Sequence, residues 1–127
     1  MTMRGKETIL IVDDDGDVAE ALASELRLLG YTVLRGKNPR KALKAFRTDP
    51  SAWHAVVSDD LMPSMRGVEL LKRMKTIRPD VKTILCADSR DIVKTQPLAR
   101  AVADATCVKP IEAKEIAFLL KVLFNKP

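Results

Sequence analysis

Thr8-Ile9-Leu10-Ile11-Val12 is an apolar, β-branched run between charged neighbours, the pattern of a strand covered on both faces. It stops at Asp13-Asp14-Asp15-Gly16-Asp17. Val18, Leu22, Leu26 and Leu29 then recur at helical spacing, Asp17 is placed to cap the first turn, and Gly30 stands where a left-handed residue ends a helix. Tyr31 to Arg35 reads as a second strand. Asn38-Pro39 is a cap followed by Pro at the first helical position, opening a helix with Ala42, Leu43 and Phe46 inward and Pro50 beyond its end. Ala55-Val56-Val57-Ser58 is a third strand running into Asp59-Asp60. A loop through Gly67 leads to a helix carrying Val68, Leu70, Leu71, Met74 and Ile77, which Arg78-Pro79-Asp80 stops. Thr83 to Ala87 and Thr106 to Val108 are the last two strands, and Ile116 to Phe124 lies in a final helix with a wide apolar face.

Strand and helix alternate five times. That order requires right-handed crossovers and a doubly wound, parallel five-stranded sheet with helices on both faces, an α/β domain of (βα)₅ type. In such sheets the functional crevice lies at the carboxyl ends of the strands, near the point where strand order reverses. One segment breaks the rhythm: Pro97 interrupts Ile92, Val93, Leu98, Ala101 and Val102. Because Pro inside a helix costs about 3 kcal/mol, the expectation is a broken or shortened fourth helix, or one that starts at Pro97.

Composition narrows the class. A chain of 127 residues, 46% apolar and 31% charged, fits one globular domain over 1–127. No apolar run approaches the roughly 20 residues of a membrane span, and the start MTMRGKETILIVDD has no signal-peptide core, so a cytoplasmic protein with no membrane contact is expected. Cys86 and Cys107 lack metal-ligand spacing and read as reduced, small strand residues. If Ala87 and Lys109 both face the strand ends, alternation turns Cys86 and Cys107 to opposite sides, against a disulfide. The net charge of +5 raises nucleic acid as a partner. Lys and Arg interleave with acids on every polar face, and aromatic residues make up only 4% of the chain. No direct nucleic-acid contact is therefore expected, and the basic second helix, with Lys37, Arg40, Lys41, Lys44 and Arg47, reads as a solvated face. His54 precedes the third strand, too far from the strand ends for catalysis.

Asp13 and Asp14 follow the first strand, Asp59 ends the third and Lys109 the fifth, so three carboxylates and one ammonium meet at one rim. Clustered carboxylates repel, and a hard divalent cation relieves them; the all-oxygen set suits Mg²⁺ rather than Zn²⁺. A carboxylate nucleophile, Mg²⁺ and a Lys for a phosphoryl oxygen make a phosphoryl-transfer site that forms an acyl phosphate.

At Ile9-Leu10-Ile11-Val12-Asp13-Asp14-Asp15, Asp59-Asp60-Leu61-Met62-Pro63 with Gly67, and Lys109-Pro110, the chain resembles the CheY-like receiver domain of two-component response regulators, a flavodoxin-like fold, over its whole length. The resemblance implies that Asp59 accepts a phosphoryl group from a sensor histidine kinase. It further implies that Asp14, Asp59 and the Leu61 backbone carbonyl bind Mg²⁺, that Asp13 acts through coordinated water, that Lys109 pairs with a phosphoryl oxygen, and that Lys109-Pro110 is a cis peptide. Such a domain catalyses at most its own phosphorylation and dephosphorylation, and it controls an output domain or a downstream protein. Counting back from Met62-Pro63 selects Asp59 as acceptor and leaves Asp60 outside the metal's immediate ligands.

Two positions depart from the family pattern. Ala87 occupies the place of a Thr or Ser at the end of strand four, with Cys86 there after a one-residue slip, and Ser89 could replace the hydroxyl only if its loop folds back. Thr106 stands where the family carries a Tyr or Phe. The switch is thus atypical at both ends, and Pro97 falls in the helix that borders the family's usual output face. Two alternatives follow. One is a pseudo-receiver that binds proteins without cycling phosphate. The other starts from Asp13-Asp14-Asp15-Gly16, which resembles the opening of haloacid-dehalogenase-type phosphatases with Asp13 as nucleophile and Asp15 as acid/base. The chain could be a stand-alone receiver or the N-terminal piece of a longer regulator, and the apolar surplus of the last helix suggests homodimerisation through it.

Overall fold

The computed structural model describes residues 7–125, the backbone alone at 91–96. Five strands, β1 (Thr8–Val12), β2 (Thr32–Gly36), β3 (Ala55–Asp59), β4 (Lys82–Ala87) and β5 (Ala105–Val108), form one parallel sheet in the order β2-β1-β3-β4-β5. Five helices connect or follow them: α1 (Gly16–Leu28), α2 (Pro39–Thr48), α3 (Gly67–Ile77), α4 (Ser89–Val102) and α5 (Ala113–Phe124). The central strands are apolar on both faces because both are covered. Leu10, Val12, Val56 and Leu85 pack with α2, α3 and α4, while Ile9, Ile11, Val57, Ile84 and Cys86 pack with α1 and α5. Phe46 is fully buried in the first of these layers, where truncation to Ala would cost about 3–5 kcal/mol.

The strand order reverses between β1 and β3, so the crevice opens above the ends of those two strands. Several local expectations shift on the way there. Asp15, not Asp17, caps α1: its Oδ1 accepts from the amides of Asp17 (3.1 Å) and Val18 (3.2 Å). Starting the helix at Gly16 puts Ala19, Leu22, Ala23 and Leu26 inward and leaves Val18 and Leu29 substantially exposed. The end of α1 is as expected, with Gly30 at φ 99° and its amide bonded to Arg27 O at 2.9 Å. Asn38 caps α2 through Lys41 N at 2.9 Å.

The fourth helix is neither broken nor shortened. It runs from Ser89 to Val102 through Pro97. Pro97 is solvent-facing, and the last turn is anchored by buried Ala99 and Val102 and closed by Ala103 N on Ala99 O at 2.7 Å. Tertiary packing outweighs the lost amide. The side chains of Ile92 and Val93, part of that expectation, lie outside the described residues.

The two cysteines are the second correction. Cys86 and Cys107 are direct partners across β4 and β5, buried in the same layer as free thiols. The expectation failed because β5 ends at Val108, so Lys109 is no longer part of the strand's alternation and Val108 is the residue opposite Ala87. His54 sits at the sheet's other end, where its Nδ1 accepts from Thr8 N at 2.9 Å.

Candidate functional site

Asp13 and Asp14 leave β1, Asp59 ends β3 and Lys109 follows β5. With Leu61, Asp15, Val18, Pro110 and Ile111 they line a cleft of about 560 Å³. One ligand oxygen from each of Asp13, Asp14 and Asp59 lies within 4.8 Å of the others. Lys109 Nζ stands 2.6 Å from Asp59 Oδ1, an ion pair whose alignment falls short of a hydrogen bond. The Lys109-Pro110 peptide is cis.

The loops around the acids are fixed from outside. Asp13 Oδ1 accepts from Asp15 N at 2.9 Å, and Arg35 at the end of β2 donates to the Asp13 carbonyl at 3.0 Å. Asp15 is committed to the α1 cap, which leaves it no acid/base role. Gly67 explains the spacing of the loop after β3: a Cβ there would stand 2.2 Å from Asp59 O, so α3 can start this close to the end of β3 only with Gly.

Burial raises the pKa of Asp59 above the ordinary carboxylate value, Lys109 pulls it down, and the charge of Asp14 adds to the rise. Asp13 is likewise raised, chiefly by burial and secondarily by the Asp59 charge, against the opposing Asp15 amide and Lys109. Burial alone would lower Lys109, but its close pairing with Asp59 and the attraction of Asp13 and Asp88 leave it raised and charged. Two buried acids with oxygen ligands converging, beside one ammonium, suit a hard divalent cation.

The sequence from residue 9 to residue 121 matches the response regulator receiver domain. The chain belongs to that family. Relatives include the two-component response regulator ORR27 of Oryza sativa subsp. japonica, 33% identical over 121 residues, 92% of this chain and 18% of that protein. Response regulator MprA of Mycolicibacterium vanbaalenii is 32% identical over 93% of this chain and 50% of its own length. The chain thus spans half or less of either relative. Among solved structures, response regulator TrrA of Thermotoga maritima, in complex with Mg²⁺-BeF, superposes with a TM-score of 0.83 at 29% identity, covering 93% of this chain and 99% of that one. Receiver membership removes the haloacid-dehalogenase reading.

The two positions read as departures from the family pattern both lie among the described residues. Ala87 is buried at the end of β4 and carries no hydroxyl, and Thr106 is exposed on β5. Ser89 is the exposed first residue of α4.

Two features escaped the sequence reading. Asp60, expected only to lie outside the metal's immediate ligands, is fully buried and accepts from Arg66 and from Val68 N. The positive charge is also less evenly spread than expected: Lys37, Arg40, Lys41, Lys44 and Arg47 equal the whole net charge of +5, with no acid among them from 37 to 48. Arg40, Lys44 and Arg47 line a shallow groove of about 420 Å³ with Arg73 of α3. Counting charges by segment would have found the second feature; the first needs the fold.

Proposed function

We propose that this receiver takes a phosphoryl group from the phosphohistidine of a sensor kinase onto Asp59, in the cytoplasm, and thereby controls an output domain or a downstream protein. The convergence of Asp13, Asp14 and Asp59 with Lys109 beside Asp59 carries this reading. An Asp59 carboxylate oxygen attacks phosphorus, the phosphorus–nitrogen bond breaks, and the imidazole leaves with the electron pair. Asp14, Asp59 and the Leu61 carbonyl would hold Mg²⁺ directly and Asp13 through water. The cation supplies charge neutralisation between acceptor and phosphoryl oxygens. Lys109 keeps Asp59 ionised and then follows the new phosphoryl charge.

Binding of Mg²⁺ by calorimetry and of beryllofluoride by amide NMR, compared with Asp59→Asn, tests the site. Trp53 fluorescence is a poor reporter, because Trp53 precedes the opposite end of β3 from Asp59. Cation and beryllofluoride binding that needs Asp59 is expected; binding indifferent to Asp59 would refute the proposal.

A second reading, a module that binds partners without cycling phosphate, is favoured by Ala87, which gives a phosphoryl oxygen no hydroxyl. Acetyl phosphate separates the two, since a non-cycling module gains no mass. Homodimerisation is assigned to α5, where Phe118 is 64% exposed and lines an apolar groove with Leu29 and Tyr31. Sedimentation of Phe118→Glu checks it.

A further inference from the structure

β3 runs into two consecutive carboxylates, and alternation turns them apart. Asp59 enters the cleft; Asp60 is 0% exposed and every polar group it has is engaged. Its amide donates to Cys86 O of β4 at 2.9 Å, and its carbonyl accepts from Gly67 N at 2.8 Å. Its Oδ1 accepts from Val68 N at 3.1 Å, and its Oδ2 pairs with Arg66. Arg66 holds the N-cap position of α3 and has no side-chain oxygen to offer the first helix amides, so Asp60 caps that helix from across the loop.

The loop 61–66 is therefore closed at its base by one residue. Leu61 is the first residue after that closure and lines the cation cleft, while its own side chain is 48% exposed. The Leu61 backbone is thus held between buried Met62 on one side and Asp60 on the other, and among the described residues only Asp60 fixes it through directed polar contacts. A cation that demands near-ideal octahedral geometry is sensitive to such placing.

We propose that the Asp60–Arg66 pair is a latch that positions the Leu61 carbonyl for the cation, making both positioning residues for metal binding. The inference rests on the receiver chemistry proposed above. Charge and geometry predict different outcomes, which makes it testable. Through-space electrostatics alone has Arg66→Gln tightening Mg²⁺, Asp60→Asn weakening it, and the charge-conserving double variant Asp60→Asn/Arg66→Gln leaving it unchanged. A latch has all three weakening it, the double variant by roughly tenfold.

The experiment is calorimetric Mg²⁺ titration of the full chain and the three variants, with melting temperature of the cation-free proteins measured alongside. Weaker binding by the double variant and by Arg66→Gln supports the latch. A lowered melting temperature with unchanged affinity makes the pair purely structural and overturns it. Should the double variant not fold, Arg66→Gln, altering a half-exposed side chain, decides by the sign of its effect. Absence of Mg²⁺ binding by the unaltered protein overturns the receiver chemistry and the latch together; failure in the variants alone overturns only the latch.

Discussion

The two sides of the cleft differ in how much of their chemistry is tied down. At the ends of β1 and β3 the buried acids each have an assigned neighbour: Asp13 the Asp15 amide, Asp59 the Lys109 ammonium, Asp60 the start of α3. At the ends of β4 and β5, apart from Lys109, the side chains are Ala87, Val108 and Thr106, none of which can hydrogen-bond a phosphoryl oxygen from a buried position. Val108, 45% exposed on β5, shows how open that side is. The comparison separates accepting a charge from reporting it: the first needs converging oxygens and a cation, and the second needs a group whose position depends on the new charge.

The largest effect expected is on the acceptor side. Asp59→Asn abolishes acyl-phosphate formation, read as the absence of a phosphoryl mass increment after acetyl phosphate and Mg²⁺. Any labelling that survives moves the chemistry to another acid and breaks the comparison. Next comes Gly67→Ala, whose methyl would meet Asp59 O, Asp60 Cα and Asp59 C at 2.2, 2.9 and 3.0 Å. Overpacking against backbone should cost about 2–3 kcal/mol in urea unfolding, and a smaller cost would show the acceptor side to be less rigid than described.

On the other side, Ala87→Thr supplies the missing hydroxyl. It should tighten beryllofluoride binding by about fivefold, the worth of one net hydrogen bond near 1 kcal/mol, with little change in Mg²⁺ affinity. An unchanged beryllofluoride affinity would mean that the open side cannot use a hydroxyl. The smallest effect concerns pH. Asp13 and Asp59 have pKa values raised by burial, so the folded state holds more protons than the unfolded chain just above the ordinary carboxylate value. The contribution of these two groups to the stability of the cation-free protein is therefore fullest below that value and is lost as pH rises through their raised pKa values. Asp13→Asn should flatten the decline in melting temperature, as should Mg²⁺.

The sheet and its helices were legible because central strands buried on both faces leave unmistakable apolar runs, and the acids after β1 and β3 announce themselves. What the sequence withheld is non-local. Capping by Asp60 depends on Val68, which only the fold of the loop brings near. The pairing of Cys86 with Cys107 turned on where β5 ends, a one-residue matter that reverses faces. Continuity of α4 through Pro97 was set by what Ala99 and Val102 bury, which local propensity does not weigh.

The concentration of surplus charge on and just before α2 has a practical consequence for handling the protein. α2 and α3 lie on one side of the sheet, α1 and α5 on the other. At low salt on a carboxylate-coated sensor surface, adsorption led by Arg40, Lys44 and Arg47 lays the molecule down on that flank. The α1–α5 flank, with Phe118, then faces the flowing solution, a ready-made oriented layer that rising ionic strength releases.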